Sequence, residues 1–204
     1  IPAGKPGHSF VATRPDPAGI AAMTRLLLAS TAPAIVAGDD VARAGAGDAL
    51  VKLAEKLGAS VWFEGLRGRN SFPTDHPAAR GTLAFDAPGV AKQFAGNDLV
   101  LMAGGPFFEE VWYAPGSPFP AGCKVLQIEA APSRLAYNFA LDAGVVADVG
   151  VGLAALDVAL ATVAGDDFAA GVAKRNAALQ ALKESDAAAQ KARVEKAWAR
   201  TPTL

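Results

Sequence analysis

Short apolar runs alternate with helical stripes along most of the chain. Pro33 to Ala37, Val61 to Phe63, Leu99 to Met102, Val125 to Ile128 and Val145-Val146 are runs with almost no polar interruption. Runs this short read as strands buried on both faces. Between them the spacing turns helical. Asp16-Pro17 reads as an N-cap followed by proline at the first helical position, and Ile20, Met23, Leu27 and Leu28 carry a helix to about Ser30. Leu50, Leu53, Ala54 and Leu57 form one stripe of a helix predicted from Val41 to Leu57 and stopped by Gly58. Further helices are predicted over Ala87 to Ala95, briefly from Pro132, and over Val151 to Val163 with Asp148 near its start. Leu83 and its neighbours suggest one more short strand.

This alternation predicts an α/β fold: a doubly wound, Rossmann-like, mostly parallel sheet of about six strands with helices on both faces. Three segments are expected: an N-terminal arm at 1–15, rich in proline and glycine, a central α/β domain at 16–165, and a C-terminal helical linker at 166–204. In the last, Phe168, Val172, Leu179 and Leu182 make a stripe, Val194 and Trp198 extend it sparsely, and Thr201-Pro202 ends the helix. Its basic residues read as a solvated helical face.

Composition narrows the function. Of 204 residues 51% are hydrophobic and 19% charged, and the net charge is −1. That is globular rather than disordered, and it lacks the basic excess of a general nucleic-acid binder. The most membrane-like stretch, Ala143 to Gly165, contains Asp148 and Asp157, with three glycines in its first ten residues, so it reads as a buried strand and helix. The first residues carry no secretory signal and no initiator Met, so the chain reads as a processed product or a piece of something longer. A single cysteine, Cys123, excludes a disulfide framework, reads as a small core residue and fits a reducing, cytoplasmic setting.

Two connections are long, Glu64 to Asp86 and Gly104 to Gly122, and both leave strand ends. In a parallel sheet they emerge at the carboxyl edge, where ligand sites form. The first strand–helix turn, Gly38-Asp39-Asp40, has two carboxylates where a phosphate cradle needs glycines, so it reads as an acidic helix cap. His76, in Phe72-Pro73-Thr74-Asp75-His76-Pro77, is a candidate proton-transfer group or a capped loop histidine. Arg67, Arg69 and Arg80 are an anion grip or solvated surface charges. The aromatic stretch Phe107 to Tyr113 lines a pocket or interface, or folds under the loop as a satellite core. No metal-ligand spacing and no G-x-S-x-G is present.

Four segments together, PAIVAGDDV (33–41), VWFEGLRGRNSFPTDHPAARG (61–81), DLVLMAGGPFF (98–108) and KVLQIEAAPSRL (124–135), resemble the central domain of thiamine-diphosphate-dependent enzymes, most of all the benzoylformate decarboxylases. The resemblance spans about 16–165 and implies a six-stranded parallel sheet. It also implies an intact homo-oligomeric enzyme that removes CO₂ from a 2-oxo acid using thiamine diphosphate and Mg²⁺. In that enzyme flanking pyrimidine- and diphosphate-binding domains hold the cofactor. The chain has no G-D-G segment, so it is expected to bind no cofactor and to be inactive alone. Relatives that make acetolactate hold FAD on this domain, and others hold ADP. Asp39-Asp40, Gly105-Pro106 and Glu129-Ala130-Ala131-Pro132 depart from the FAD pattern and argue against FAD. The resemblance also implies that His76 acts in proton transfer, in the intact enzyme only. The alternatives are an acetolactate synthase-type central domain, a free-standing ADP- or FAD-binding module, and a purely structural or assembly role.

Overall fold

The computed structural model describes residues 12–108 and 115–199. Trp112, Tyr113, most of the arm and the Thr201-Pro202 stop lie outside the described residues. Six strands form one sheet among the described residues: β1 (Pro33–Ala37), β2 (Ser60–Phe63), β3 (Ala79–Thr82), β4 (Leu99–Ala103), β5 (Lys124–Glu129) and β6 (Ala143–Val146). Their order is β3-β2-β1-β4-β5-β6, and every neighbouring pair is parallel. The doubly wound expectation therefore holds. The order reverses between β1 and β4, which makes their carboxyl ends the topological switch point.

Both faces of the central strands are covered, which is why those strands read as unbroken apolar runs. Ile35, Leu101, Val61 and Leu126 point to one core, shared with α1 (Pro17–Ala29), α3 (Gly47–Leu57) and α5 (Val149–Val163). Ala34, Val36, Val100 and Met102 point to the other, shared with α4 (Ala87–Gln93) and the loop after β4. Asp16 caps α1 by accepting from Ala18 N–H at 2.7 Å, and Asp148 caps α5 by accepting from Val151 N–H at 3.1 Å. Met23, Leu27, Leu50 and Leu57 are buried completely or nearly so, each contributing about 1.5–3 kcal/mol of transfer free energy. No helix among the described residues is long and apolar enough to cross a membrane.

Four expectations change. The single helix over Val41 to Leu57 is two: α2 (Asp39–Arg43) and α3, separated by a turn at Gly45, whose φ of 63° suits glycine. The helix near Pro132 is one 3-10 turn, Pro132–Arg134. The extra strand lies at Ala79–Thr82, ahead of Leu83; as an edge strand it has a half-exposed sequence with no apolar run. Cys123 is half-buried at the margin of the second core rather than within it.

The segment after α5 is one helix, α6 (Asp166–Trp198). Its first half lies against the domain through Phe168 and Leu179. Arg175 donates twice to Leu57 O, at 2.9 and 2.8 Å, satisfying the last turn of α3. Arg80 pairs with Asp186 at 2.9 Å. From residue 184 to 199 every side chain is exposed, and Trp198 is 74% exposed.

Candidate functional site

The carboxyl edge at the switch point is filled by the protein's own backbone and charges. Gly38 N–H donates to Ala103 O at 3.0 Å, and Asp40 N–H donates to Gly104 O at 3.2 Å. A Cβ on Gly38 would stand 2.0 Å from Gly104 O, and one on Gly104 would stand 2.8 Å from Val41 N. The first turn of α2 and the loop after β4 thus touch backbone to backbone. After Gly104 the Gly105–Pro106 peptide is cis.

Charges seal the same place. Glu129 ends β5 and is wholly buried. Its Oε1 accepts from Arg134 at 2.7 Å and from Ala131 N–H at 3.1 Å. Arg134 also pairs with Asp40, which in turn takes Arg43 at 2.7 Å. Burial would lower the Arg134 pKa, but the hydrogen bond to Asp40 and the charge of Glu129 outweigh it and hold the value above the ordinary one. Gln127 clamps the loop that carries Arg134, donating to Arg134 O at 3.2 Å and accepting from Ala136 N–H at 3.0 Å.

Asp39 and Asp40 do not cap α2 with their side chains; its N-cap is Gly38. Asp39 accepts the N–H groups of Gly68 and Arg69 at 3.0–3.1 Å, and Ser71 donates to Gly38 O at 2.7 Å. The loop after β2 is thereby fastened over α2. Glu64, nearly buried, accepts from Leu66 N–H at 2.6 Å and Phe108 N–H at 3.2 Å, joining this loop to the one after β4. Phe107 is buried, while Phe108 meets Phe119 and Phe139 edge-on at 5.7 and 5.4 Å. These two aromatics form the satellite core; the rest of their run lies outside the described residues.

His76 sits elsewhere. Its loop descends to the start of β3, where Ala78 O accepts from Val61 N–H at 2.8 Å, level with the amino half of β2. The ring packs edge-on against Phe72 at 5.0 Å. Nδ1 accepts from Ala78 N–H at 3.1 Å, and Nε2 lies 3.3 Å from Glu55. A backbone donor on Nδ1 puts the proton of the neutral ring on Nε2.

The three arginines do not converge. Arg67 lies over the Phe63 ring at 3.9 Å, Arg69 is exposed, and Arg80 faces α6. Among the described residues no three His, Cys, Asp or Glu side chains could hold a metal ion. Sequence reasoning did not single out Arg134, because a lone arginine in a short loop shows nothing of the two carboxylates it bridges. The one available signal was Glu129, a carboxylate closing an otherwise apolar strand.

Comparison with known proteins fits this geometry. Residues 20–156 match the family described as "Thiamine pyrophosphate enzyme, central domain". Benzoylformate decarboxylase of Pseudomonas aeruginosa is 37% identical over 145 residues, 71% of this chain and 27% of that protein. A probable acetolactate synthase large subunit of Methanocaldococcus jannaschii is 30% identical over 65% of this chain and 22% of that protein. The crystal structure of benzoylformate decarboxylase from Polynucleobacter necessarius superposes with a TM-score of 0.70 at 28% identity, covering 78% of this chain and 30% of that one. The chain spans about a quarter of the length of the curated relatives it matches.

Proposed function

Because the chain belongs to the thiamine pyrophosphate enzymes as their central domain, we propose that it is the middle scaffold of a 2-oxo acid decarboxylase of the benzoylformate type. In this reading it supplies a rigid wall and anchored loops, and the chemistry belongs to flanking domains. The observation that carries it is the sealed switch point: Asp40, Arg134 and Glu129 fill the crevice in which such a fold would receive a nucleotide.

Thiamine diphosphate and Mg²⁺, which the family implies, do not fit the described residues. A diphosphate at the N-terminus of α2 would meet Asp39, Asp40 and buried Glu129. The nearest cation, Arg134, is already committed to two carboxylates. The same charges disfavour FAD and ADP, and with them the reading as a free-standing nucleotide module. A Cβ-sized atom has no room between Gly38 and Gly104, still less a ribose or a pyrophosphate.

His76 enters this proposal as the histidine the domain offers for proton transfer in the intact enzyme, an act that requires Nε2 to leave Glu55. What supports it is the Nε2–H, held only by a carboxylate that is itself 57% exposed. The variant H76N keeps an acceptor near the Nδ1 position. A fall in kcat in the intact enzyme, with the fold retained, supports transfer; an unchanged kcat assigns His76 to anchoring its loop.

The scaffold reading is tested by adding thiamine diphosphate, Mg²⁺ and benzoylformate to the purified chain and following CO₂ release. No turnover is expected, and turnover would overturn it. The polypeptide with flanking family domains should consume a 2-oxo acid under the same conditions; failure on every 2-oxo acid tried would overturn the decarboxylase assignment. The acetolactate synthase relatives make 2-acetolactate from pyruvate the product to assay beside CO₂.

A further inference from the structure

α6 touches the domain along one stripe. Val172, Arg175, Asn176, Leu179 and Lys183 are half-buried, and their spacing puts them on one side of the helix, which Asp186 continues. The stripe changes character along its length. Phe168 and Leu179 pack on the first core, whereas the contacts from Asn176 to Asp186 are otherwise polar. Asn176 donates to Glu55 O at 2.8 Å, Lys183 donates to Thr74 O at 2.7 Å, and Asp186 accepts from Arg80 at 2.9 Å. Arg80 Nη1 is buried and meets no hydrogen-bond partner among the described residues, so the guanidinium relies on Asp186.

These three partners surround one residue. Thr74 and Arg80 stand before and after His76 in the chain, and Glu55 carries the carboxylate 3.3 Å from His76 Nε2. The ring's other contacts, Ala78 N–H on Nδ1 and the edge of Phe72, come from its own loop. Beyond that loop the imidazole is fixed by Glu55. One helix therefore holds both the loop that bears the imidazole and the residue against which it rests. Its grip there is polar, and Asp186 is 56% exposed. Exposed ion pairs and single side-chain hydrogen bonds are weak, so this stretch can open locally while the apolar contacts of Phe168 and the sheet stay intact.

We propose that α6 is a latch that parks His76. Docked, it holds the imidazole at Glu55, level with the amino half of β2. Lifted over Asn176 to Asp186, it frees the loop ahead of β3 and lets Nε2 leave Glu55. The consequence for catalysis rests on the proton-transfer role proposed above; the latch itself is read on this chain and does not. Diethyl pyrocarbonate acylates an unprotonated imidazole nitrogen and reads the latch at about pH 8, with His76 resolved from His8 by peptide mass. The variant K183M/D186N should raise the rate at His76 about fivefold or more, with circular dichroism retained. K183M alone should raise it in the same direction without touching Arg80. E55A removes the resting place and should also raise it. K191M/E195Q alters the same helix beyond the contact and should leave the rate as it is in the unaltered chain. An unchanged rate in K183M and in K183M/D186N, or an equal rise in K191M/E195Q, would overturn the latch. In the intact enzyme K183M/D186N should change kcat with KM held. Faster labelling with an unmoved kcat would uphold the latch and overturn the proton-transfer reading instead.

Discussion

Arg134 donates to Glu129 at 2.7 Å, and Glu129 is wholly shielded from water. The pair stands at the switch point and is completed by Asp40. Removing the cation alone leaves a buried carboxylate uncompensated, so R134M should lower unfolding stability by about 3–5 kcal/mol. The double variant R134M/E129Q should recover most of that loss. Urea titration of the two proteins checks it. Equal losses in both would show that packing of the arginine stem, not charge, decides the site.

Backbone contact between Gly38 and Gly104 predicts a steric effect at a residue with no side-chain role. A methyl group at Gly38 would lie 2.0 Å from a carbonyl oxygen that cannot move without disturbing β4. G38A should cost about 1–3 kcal/mol or more. Gly96, at the surface turn after α4, has open space around it, and its φ of 91° makes any side chain strained there. G96A should cost about 1 kcal/mol from backbone strain without disturbing the sheet. Hydrogen exchange at the β1–β4 ladder separates the two effects, since only G38A should loosen it.

Asp98 ties the start of β4 to the chain entering β1. It accepts from the hydroxyls of Ser30 and Thr31 and from the N–H groups of Thr31 and Ala32, at 2.7 and 3.0 Å. Burial alone would raise its pKa, but these hydrogen bonds outweigh burial and hold the carboxyl below the usual value. A depressed folded-state pKa adds stability that is full above the unfolded value, about 3.9, and is lost as pH falls through the folded one. D98N should cost about 2 kcal/mol at neutral pH and flatten the fall in stability below pH 4. Denaturant melts from pH 7 to pH 2 would show an unchanged slope if Asp98 played no part.

The two halves of α6 should behave differently on truncation. Ending the chain after residue 187 keeps the Arg80–Asp186 pair and removes only exposed residues, so the thermal midpoint should move by a few degrees at most. The variant R175A removes two hydrogen bonds from the last carbonyl of α3 and should cost about 1–2 kcal/mol. A large loss from the truncation would mean that the distal half of α6 stabilises the domain.

Cys123 should be a poor nucleophile. Burial, followed by the charges of Asp98 and Asp142, pushes its thiol up to about 11. Alkylation by iodoacetamide should therefore be slow at pH 8 and accelerate until about pH 11. Rapid labelling at neutral pH would show the thiol exposed as thiolate.

Much of this protein was legible from local pattern alone. The four central strands were readable because central strands of a parallel sheet are apolar on both faces, the edge strand β6 showed only as Val145-Val146, and the cap at Asp16 was readable because capping acts within three residues. The parallel order followed from the alternation, since parallel strands need helical crossovers. The other edge strand, Ala79–Thr82, showed only as a hint around neighbouring Leu83, because it is half-buried and carries no such run. The break at Gly45 was masked because it lies among small residues, Ala44 to Gly47, inside a helical pattern running from Val41 to the Leu50–Leu57 stripe. Tertiary structure alone decided the site. Glu129 and Arg134 share one segment, but Asp40 lies far from them in the chain, and only the strand order brings it to the same crevice. It also decided where His76 sits, since a loop's exit from one end of a strand says nothing of how far it descends before the next. And it left α1 and α5 side by side with their apolar backs to the solvent, a property that belongs to neither helix by itself.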